Sequence, residues 1–145
     1  MIPKEIQDKS IVLKPERDKH VRNKHPWVFM GAIASYPEFE DGDILPVVTS
    51  NGTFVGHGYF NKGQSITGRM FSFEKIDDPQ AVFVENIKAA IQLRKTVLAS
   101  QEKETNAYRL INGEGDDLPG LIVDKYDKVL VIQINLLGVD KLKDV

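Results

Sequence analysis

The stretch Lys14-Pro15-Glu16-Arg17-Asp18-Lys19-His20-Val21-Arg22-Asn23-Lys24-His25-Pro26-Trp27-Val28-Phe29-Met30-Gly31 decides how the rest of the chain is read. Pro15 suits the first turn of a helix and Pro26 cannot continue one, so residues 14–24 predict a short helix followed by an extended segment, His25 to Phe29. About three turns do not hold a helix in water alone. Val21 is the only aliphatic residue among them, while Lys14, Arg17, Lys19, Arg22 and Lys24 stand against Glu16 and Asp18, with His20 and His25 beside them. The helix is therefore a charged surface anchored from outside. The apolar segment after it supplies the anchor, with Trp27 and Phe29 on one side of a strand and Val28 on the other. Trp27 is expected to be mostly core.

Composition sets the bounds. The chain has 145 residues, 41% hydrophobic and 28% charged, which suits one domain or a small domain plus part of another. The net charge of −2 hides an uneven distribution: residues 1–35 carry seven Lys/Arg against four Asp/Glu, and residues 36–78 carry three against seven. Average charge thus says nothing against an anionic partner. The absence of cysteine removes disulfides, thiolate metal sites and thiol nucleophiles together. The first residues are charged and lack the apolar core of a signal peptide, and no apolar run approaches membrane-spanning length. A soluble cytoplasmic protein with no membrane partner is expected.

Ser10 to Leu13 reads as a short strand. Ile44 to Thr49 and Thr53 to Tyr59 are β-branched or aromatic runs flanking Ser50-Asn51-Gly52, a strong hairpin signal. Gly56 and Gly58 fall on one face of the second run, where another element can come close, with His57 facing the other way. Ile66 to Phe73 is a further strand carrying Arg69. Short strands at this spacing predict a small barrel. The texture then changes. Asp78-Pro79 opens a helix of about residues 79–101, in which Phe83, Ile87, Ala90, Ile91, Val97 and Leu98 recur at helical spacing. After a polar linker at 101–106, Tyr108–Ile111, Leu121–Asp124 and Val129–Ile134 read as strands, and Gly138 onward as the start of another helix.

The Gly-rich stretch from Asn112 to Gly120 invites a dinucleotide or calcium reading. Leu118 and Pro119 stand where a dinucleotide fingerprint needs glycine and a helix start. The carboxylates Glu114, Asp116 and Asp117 lack the spacing and terminal glutamate of a calcium loop, so a tight turn between strands is the favoured reading. The three histidines have no zinc-binding helical spacing, and no serine elbow occurs. No catalytic, cofactor or metal residues are assigned. The basic stretch is different, because Lys/Arg beside an aromatic ring can grip phosphates and stack a base. The pairs Glu16–His20 and Asp18–Arg22 can equally be solvated helix pairs, and Arg69 can simply snorkel. These alternatives stay open on pattern alone.

Lys24–Ile33, Gly68-Arg69 and Tyr108–Asp124 together resemble the bacterial SAM-dependent 23S rRNA large-subunit methyltransferases that modify cytosine at carbon 5, over nearly the whole chain. The resemblance implies a PUA domain, a small RNA-binding pseudo-barrel, at residues 1–75. It also implies the start of a central α/β domain at 76–145, so the fold class is mixed α/β (α+β). Tyr126-Asp127 departs from it at a hairpin turn where relatives often carry glycine. Carbon-5 methylation needs a thiolate and a SAM site, and the chain has no cysteine and no Gly-rich SAM loop after a strand. It therefore reads as an RNA-binding N-terminal portion that positions ribosomal RNA without catalysis and without its own cofactor, S-adenosylmethionine serving the full-length family. The residues expected to touch RNA are Lys14, Arg17, Lys19, Arg22, Lys24, His25, Lys62 and Arg69. The alternative is a free-standing structural or protein-interaction module. Residues 108–145 are expected to present an exposed sheet edge that forms an intermolecular contact, as in a homo-oligomer, or else to be poorly ordered.

Overall fold

Residues 2–100 and 104–144 are described by the computed structural model. In chain order the elements are α1 (Lys4–Gln7), β1 (Ile11–Leu13), α2 (Lys19–Arg22), β2 (Trp27–Phe29), β3 (Ile33–Ser35), β4 (Asp43–Val48), β5 (Phe54–Phe60) and β6 (Ile66–Ser72). There follow α3 (Pro79–Leu98), β7 (Ala107–Asn112), β8 (Leu121–Tyr126), β9 (Val129–Ile134) and α4 (Leu137–Leu142). The chain divides into two units, Met1–Pro79 and Gln80–Val145. The architecture is the mixed α/β class expected from the sequence.

In the first unit six strands lie in the order β2-β6-β5-β4-β1-β3. All neighbours are antiparallel except β1 and β4. Asn51-Gly52 makes the β4–β5 turn, with Gly52 at φ +84°. Pro46 is tolerated in an interior strand because β1 pairs with β4 only at Val47 and Val48, beyond the proline. Ile11, Val28, Val47, Phe60 and Met70 meet in one core cluster. The glycines of β5 admit a close neighbour, as expected: a Cβ at Gly56 would lie 2.3 Å from the Ser72 carbonyl oxygen.

The stretch at 14–24 departs from its expectation. Residues 15–17 form a turn with Glu16 at φ 62°, and only Lys19–Arg22 is helical before Lys24, at φ 64°, ends it. The reason is the scarcity of apolar residues. Val21 is the one side chain here that reaches the core, so one turn is all that packing can hold.

His57, between the two glycines of β5, lies against the Phe54 ring at 5.1 Å. Burial pushes its imidazole below its ordinary value, opposed by a hydrogen bond with the Glu74 backbone. Its Nδ1 is buried and meets no hydrogen-bond partner among the described residues. With the folded value below the unfolded one, the unfolded chain binds the proton more readily. The stabilisation is therefore complete above the ordinary value of 6.5 and is lost as pH falls below it toward the depressed folded value. Thermal unfolding followed downward from neutral pH should show a falling midpoint, and His57→Gln should flatten that fall. An equal slope in the variant would place the pH dependence on other groups.

In the second unit β8 is central, with β7 and β9 on either side. Phe83 and Ala90 of α3 are buried, and Ile87 and Ile91 line an apolar cavity of about 290 Å3 that Leu130 and Ile132 of β9 also line. The predicted apolar face overshoots at its end, since Val97 is exposed. Arg94 is the residue that turns toward the strands there, donating through Nε to the Arg109 carbonyl at 3.3 Å. The helix ends at Leu98, a little before the end expected near residue 101, and residues 101–103 of the linker expected at 101–106 lie outside the described residues. The Tyr126-Asp127 turn closes without glycine because Asp127 itself takes φ 54°. Every residue of β9 is exposed and the strand lies at the sheet edge. No helix among the described residues is long and apolar enough to cross a membrane.

Candidate nucleic-acid interface

The strand β2 settles which side of the Trp27-Val28-Phe29 segment faces inward. Val28 pairs with Gly68 of β6 and is fully buried, so Trp27 and Phe29 turn outward and are 37% and 45% exposed. This corrects the expectation that Trp27 is mostly core. Inward space opposite β6 is filled by Phe60, whose ring would be 2.3 Å from a Cβ at Gly68. The small Val28 fits beside it, and the large rings are left on the surface.

Those rings are held in a row. His20 and His25 meet edge-to-face at 6.3 Å, His25 and Trp27 at 5.6 Å, and Trp27 and Phe29 at 6.4 Å. His25 Nδ1 accepts the Trp27 backbone N–H at 3.1 Å, which fixes the imidazole against the start of the strand. Arg69 pairs across the ladder from Trp27 and sets its guanidinium 5.7 Å from the indole centroid. Its Nη1 donates to the Ile66 carbonyl at 3.0 Å. Arg69 thus braces the ring from the sheet side. A cavity of about 610 Å3 opens in front, lined by Arg17, His20, Trp27 and Phe29 among others.

Lys19 and Arg22 line an adjoining polar cavity of about 680 Å3, and the two cavities share Glu16. Arg22, itself exposed, is 3.7 Å from the largely buried Asp18 carboxylate, a long contact that holds the guanidinium weakly. Arg17, Lys19 and Lys24 are exposed and carry no ion pair among the described residues. Lys14 donates through Nζ to the Gly31 carbonyl at 3.0 Å, tying the turn to the segment after β2. The fold therefore sets Arg17, His25 and Arg69 around Trp27, with Lys19 and Arg22 in the adjoining cavity. Lys62 is set apart, its ammonium 4.9 Å from the Phe39 ring. Phe29 and His20 were not singled out from the sequence as contacts. The alternation of Trp27 and Phe29 was the available signal, but it does not reveal which face is inside.

In the Gly-rich stretch, Gly113–Asp116 forms a single 3-10 turn between the antiparallel strands β7 and β8, and Asp117 follows at φ 55°. Asp116 takes two hydrogen bonds from Arg94, at 2.6 and 2.7 Å, and one from the Asn112 backbone N–H at 2.6 Å. This is the tight turn expected. Its carboxylate holds the loop to α3, and the loop does not lead from a strand into a helix, so these residues do not fit a SAM or phosphate cradle. Among the described residues no three His, Cys, Asp or Glu side chains are grouped as metal ligands.

Residues 11–73 match the PUA-like domain family. The ribosomal RNA large subunit methyltransferase I of Alteromonas mediterranea is 36% identical over 136 residues, covering 92% of this chain and 34% of that protein. The protein of the same name from Shewanella frigidimarina is 34% identical over 137 residues, again 92% of this chain and 34% of the relative. The chain thus spans about a third of the length of these relatives. Among solved structures, a candidate SAM-dependent methyltransferase from Streptococcus mutans superimposes with a TM-score of 0.76 at 21% identity, over 99% of this chain and 35% of the other. That likeness concerns the fold. A candidate methyltransferase solved in complex with SAH matches with the same TM-score of 0.76. Residues 11–73 thus match a PUA-like domain, in a chain similar over 92% of its length to a ribosomal RNA large subunit methyltransferase.

Proposed function

We propose that this chain binds ribosomal RNA through the basic and aromatic surface of its first unit, as the RNA-binding portion of a methyltransferase that uses SAM to methylate cytosine at carbon 5. The observation that carries the reading is Trp27: a large ring turned outward, braced by His25 and Arg69, in a cavity lined by Arg17. An unpaired base can stack on that ring while Arg17, Lys19, Arg22 and Lys24 meet phosphates. Lys14 and Arg69 keep the surface in shape, His25 orients the indole, and Lys62 extends the cationic surface from its own loop. The role in catalysis is to orient the RNA. Methyl transfer itself is assigned to residues other than these, because the chain has no cysteine to add to carbon 6 and its Gly-rich loop is tied up by Arg94. A cytoplasmic location follows from the proposed substrate.

Fluorescence anisotropy with a labelled single-stranded rRNA segment tests the proposal. Base stacking on an aromatic residue is worth about 1–3 kcal/mol by alanine substitution, so Trp27→Ala should weaken binding about 5- to 150-fold. The lost ring contacts should cost the fold only about 1–2 kcal/mol, since the core lies on the other face of the sheet. Binding that is indifferent both to salt and to Trp27 would exclude this surface.

A homotypic contact through β9 is also proposed. Val129, Leu130, Val131, Ile132 and Ile134 are all exposed on an edge strand whose backbone groups on the outer side have no strand beside them among the described residues. Light scattering over a concentration series should show reversible self-association that Ile132→Lys abolishes. A strict monomer at all concentrations would sink the idea.

A further inference from the structure

The segment after β2 separates two cavities. Phe29 lines the one that contains Trp27, and Met30, the next residue, lines another of about 330 Å3. The second is at the small end of the range for ligand pockets and is walled by Met30, Ile33, Tyr36, Phe39 and Lys62, with Glu38 beside them. Tyr36 is 53% exposed and is held in place from below. Its ring sits edge-on to Phe39 at 5.9 Å, and Phe39 sits edge-on to the core residue Phe60 at 6.4 Å. Three rings in a ladder make Tyr36 a fixed platform with one surface open. The loop that brings Lys62 is fixed too, because the Lys62 backbone N–H donates to Asp41 Oδ1 at 2.7 Å and the Met30 N–H donates to the Ser65 carbonyl at 3.0 Å.

We propose that this cavity is a second nucleotide subsite, taking an unpaired base of the same RNA strand whose other base lies on Trp27; it rests on the RNA-binding reading above. The base stacks on Tyr36 and Lys62 meets its phosphate. A duplex keeps its bases stacked inside and could present only its backbone to such a pocket, so the ligand is single-stranded RNA. Glu38, exposed and without a hydrogen-bond partner among the described residues, adds a preference. A carboxylate only accepts hydrogen bonds, so it favours a base with an exocyclic amino group, such as cytosine, over uracil, which presents carbonyl oxygens there. The Glu38 carboxylate also disfavours an acidic peptide in this position, and Lys62 is the cation in the lining that can meet a phosphate.

The test compares short fluorescent oligocytidylate and oligouridylate on the full chain. The unaltered protein should bind oligocytidylate more tightly, and Glu38→Gln, whose amide can donate as well as accept, should remove the difference. Tyr36→Ala should weaken both by at least about fivefold. Tyr36→Phe keeps the ring and should bind as the unaltered protein does, so a loss confined to the alanine variant reports stacking and not unfolding. Equal affinity for the two oligomers in the unaltered protein overturns the role of Glu38. A loss on Trp27→Ala with none on Tyr36→Ala overturns the subsite while RNA binding stands. No salt-dependent binding of either oligomer overturns the RNA reading and the subsite with it.

Discussion

Replacing Arg17, Lys19, Arg22 and Lys24 together by glutamate is expected to flatten the salt dependence of RNA binding by about three in the slope of log K against log salt. Each phosphate neutralised on single-stranded nucleic acid contributes about 0.7 to that slope through released counterions, and four contacts are removed at once. A slope change of about three corresponds to roughly a thousandfold in affinity for each decade of salt below molar concentration. The effect is large because these side chains are spent on little else. Arg17, Lys19 and Lys24 carry no ion pair among the described residues, and the exposed Arg22 is a long 3.7 Å from Asp18. For the same reason the fold should tolerate the change: none of the four side chains reaches the core, where Val21 alone anchors α2. An unaltered slope in a variant that retains its circular dichroism would move the RNA to another face. Trp27→Ala differs in kind. It should lower affinity at every salt concentration and leave the slope where it was, because a stacked base releases no counterion.

The parts of this fold that were legible in the sequence are those decided within a few residues. Asn51-Gly52 fixes the β4–β5 turn through its own backbone preference, and Asp78-Pro79 opens α3 in the same way. The helix expected over residues 14–24 failed because its competitor was not local. Lys14 donates to Gly31, Val21 is drawn into the core, and Glu16 and Lys24 adopt positive φ to allow both. Alternation correctly put Trp27 and Phe29 on one side and Val28 on the other, but which side is inside depends on Gly68 and Phe60, some forty residues or fewer along the chain. The candidate site was therefore legible as a charge pattern and illegible as a cavity. Its aromatic half appears only when β6 is laid beside β2. The Gly-rich loop makes the same point. Pro119 was enough to argue against a dinucleotide fingerprint, whereas the partner of Asp116 lies 22 residues away on α3.

That partner gives the second large effect. Arg94 and Asp116 form a two-bond fork at 2.6 and 2.7 Å with side chains only 16% and 4% exposed. Asp116 also accepts the Asn112 N–H, and Arg94 also donates to the Arg109 carbonyl, so the pair ties α3 to β7 and to the turn that follows it. Removing one member of such a pair leaves the other charge buried and uncompensated, which costs about 3–5 kcal/mol. Asp116→Ala should therefore lower the stability of the second unit by that amount in urea unfolding. By contrast, the exposed Arg109–Asp124 pair on the neighbouring strands, in which the guanidinium holds the carboxyl below its ordinary range, should matter little when cut. The double variant Arg94→Ala with Asp116→Ala separates the pair from its surroundings. If the penalty comes from the stranded arginine, the double variant loses less than the sum of the two single losses, by about 0.5–3 kcal/mol. Strict additivity, or a loss below about 1 kcal/mol for Asp116→Ala, would mean that water reaches the guanidinium and that the turn is held by its backbone alone.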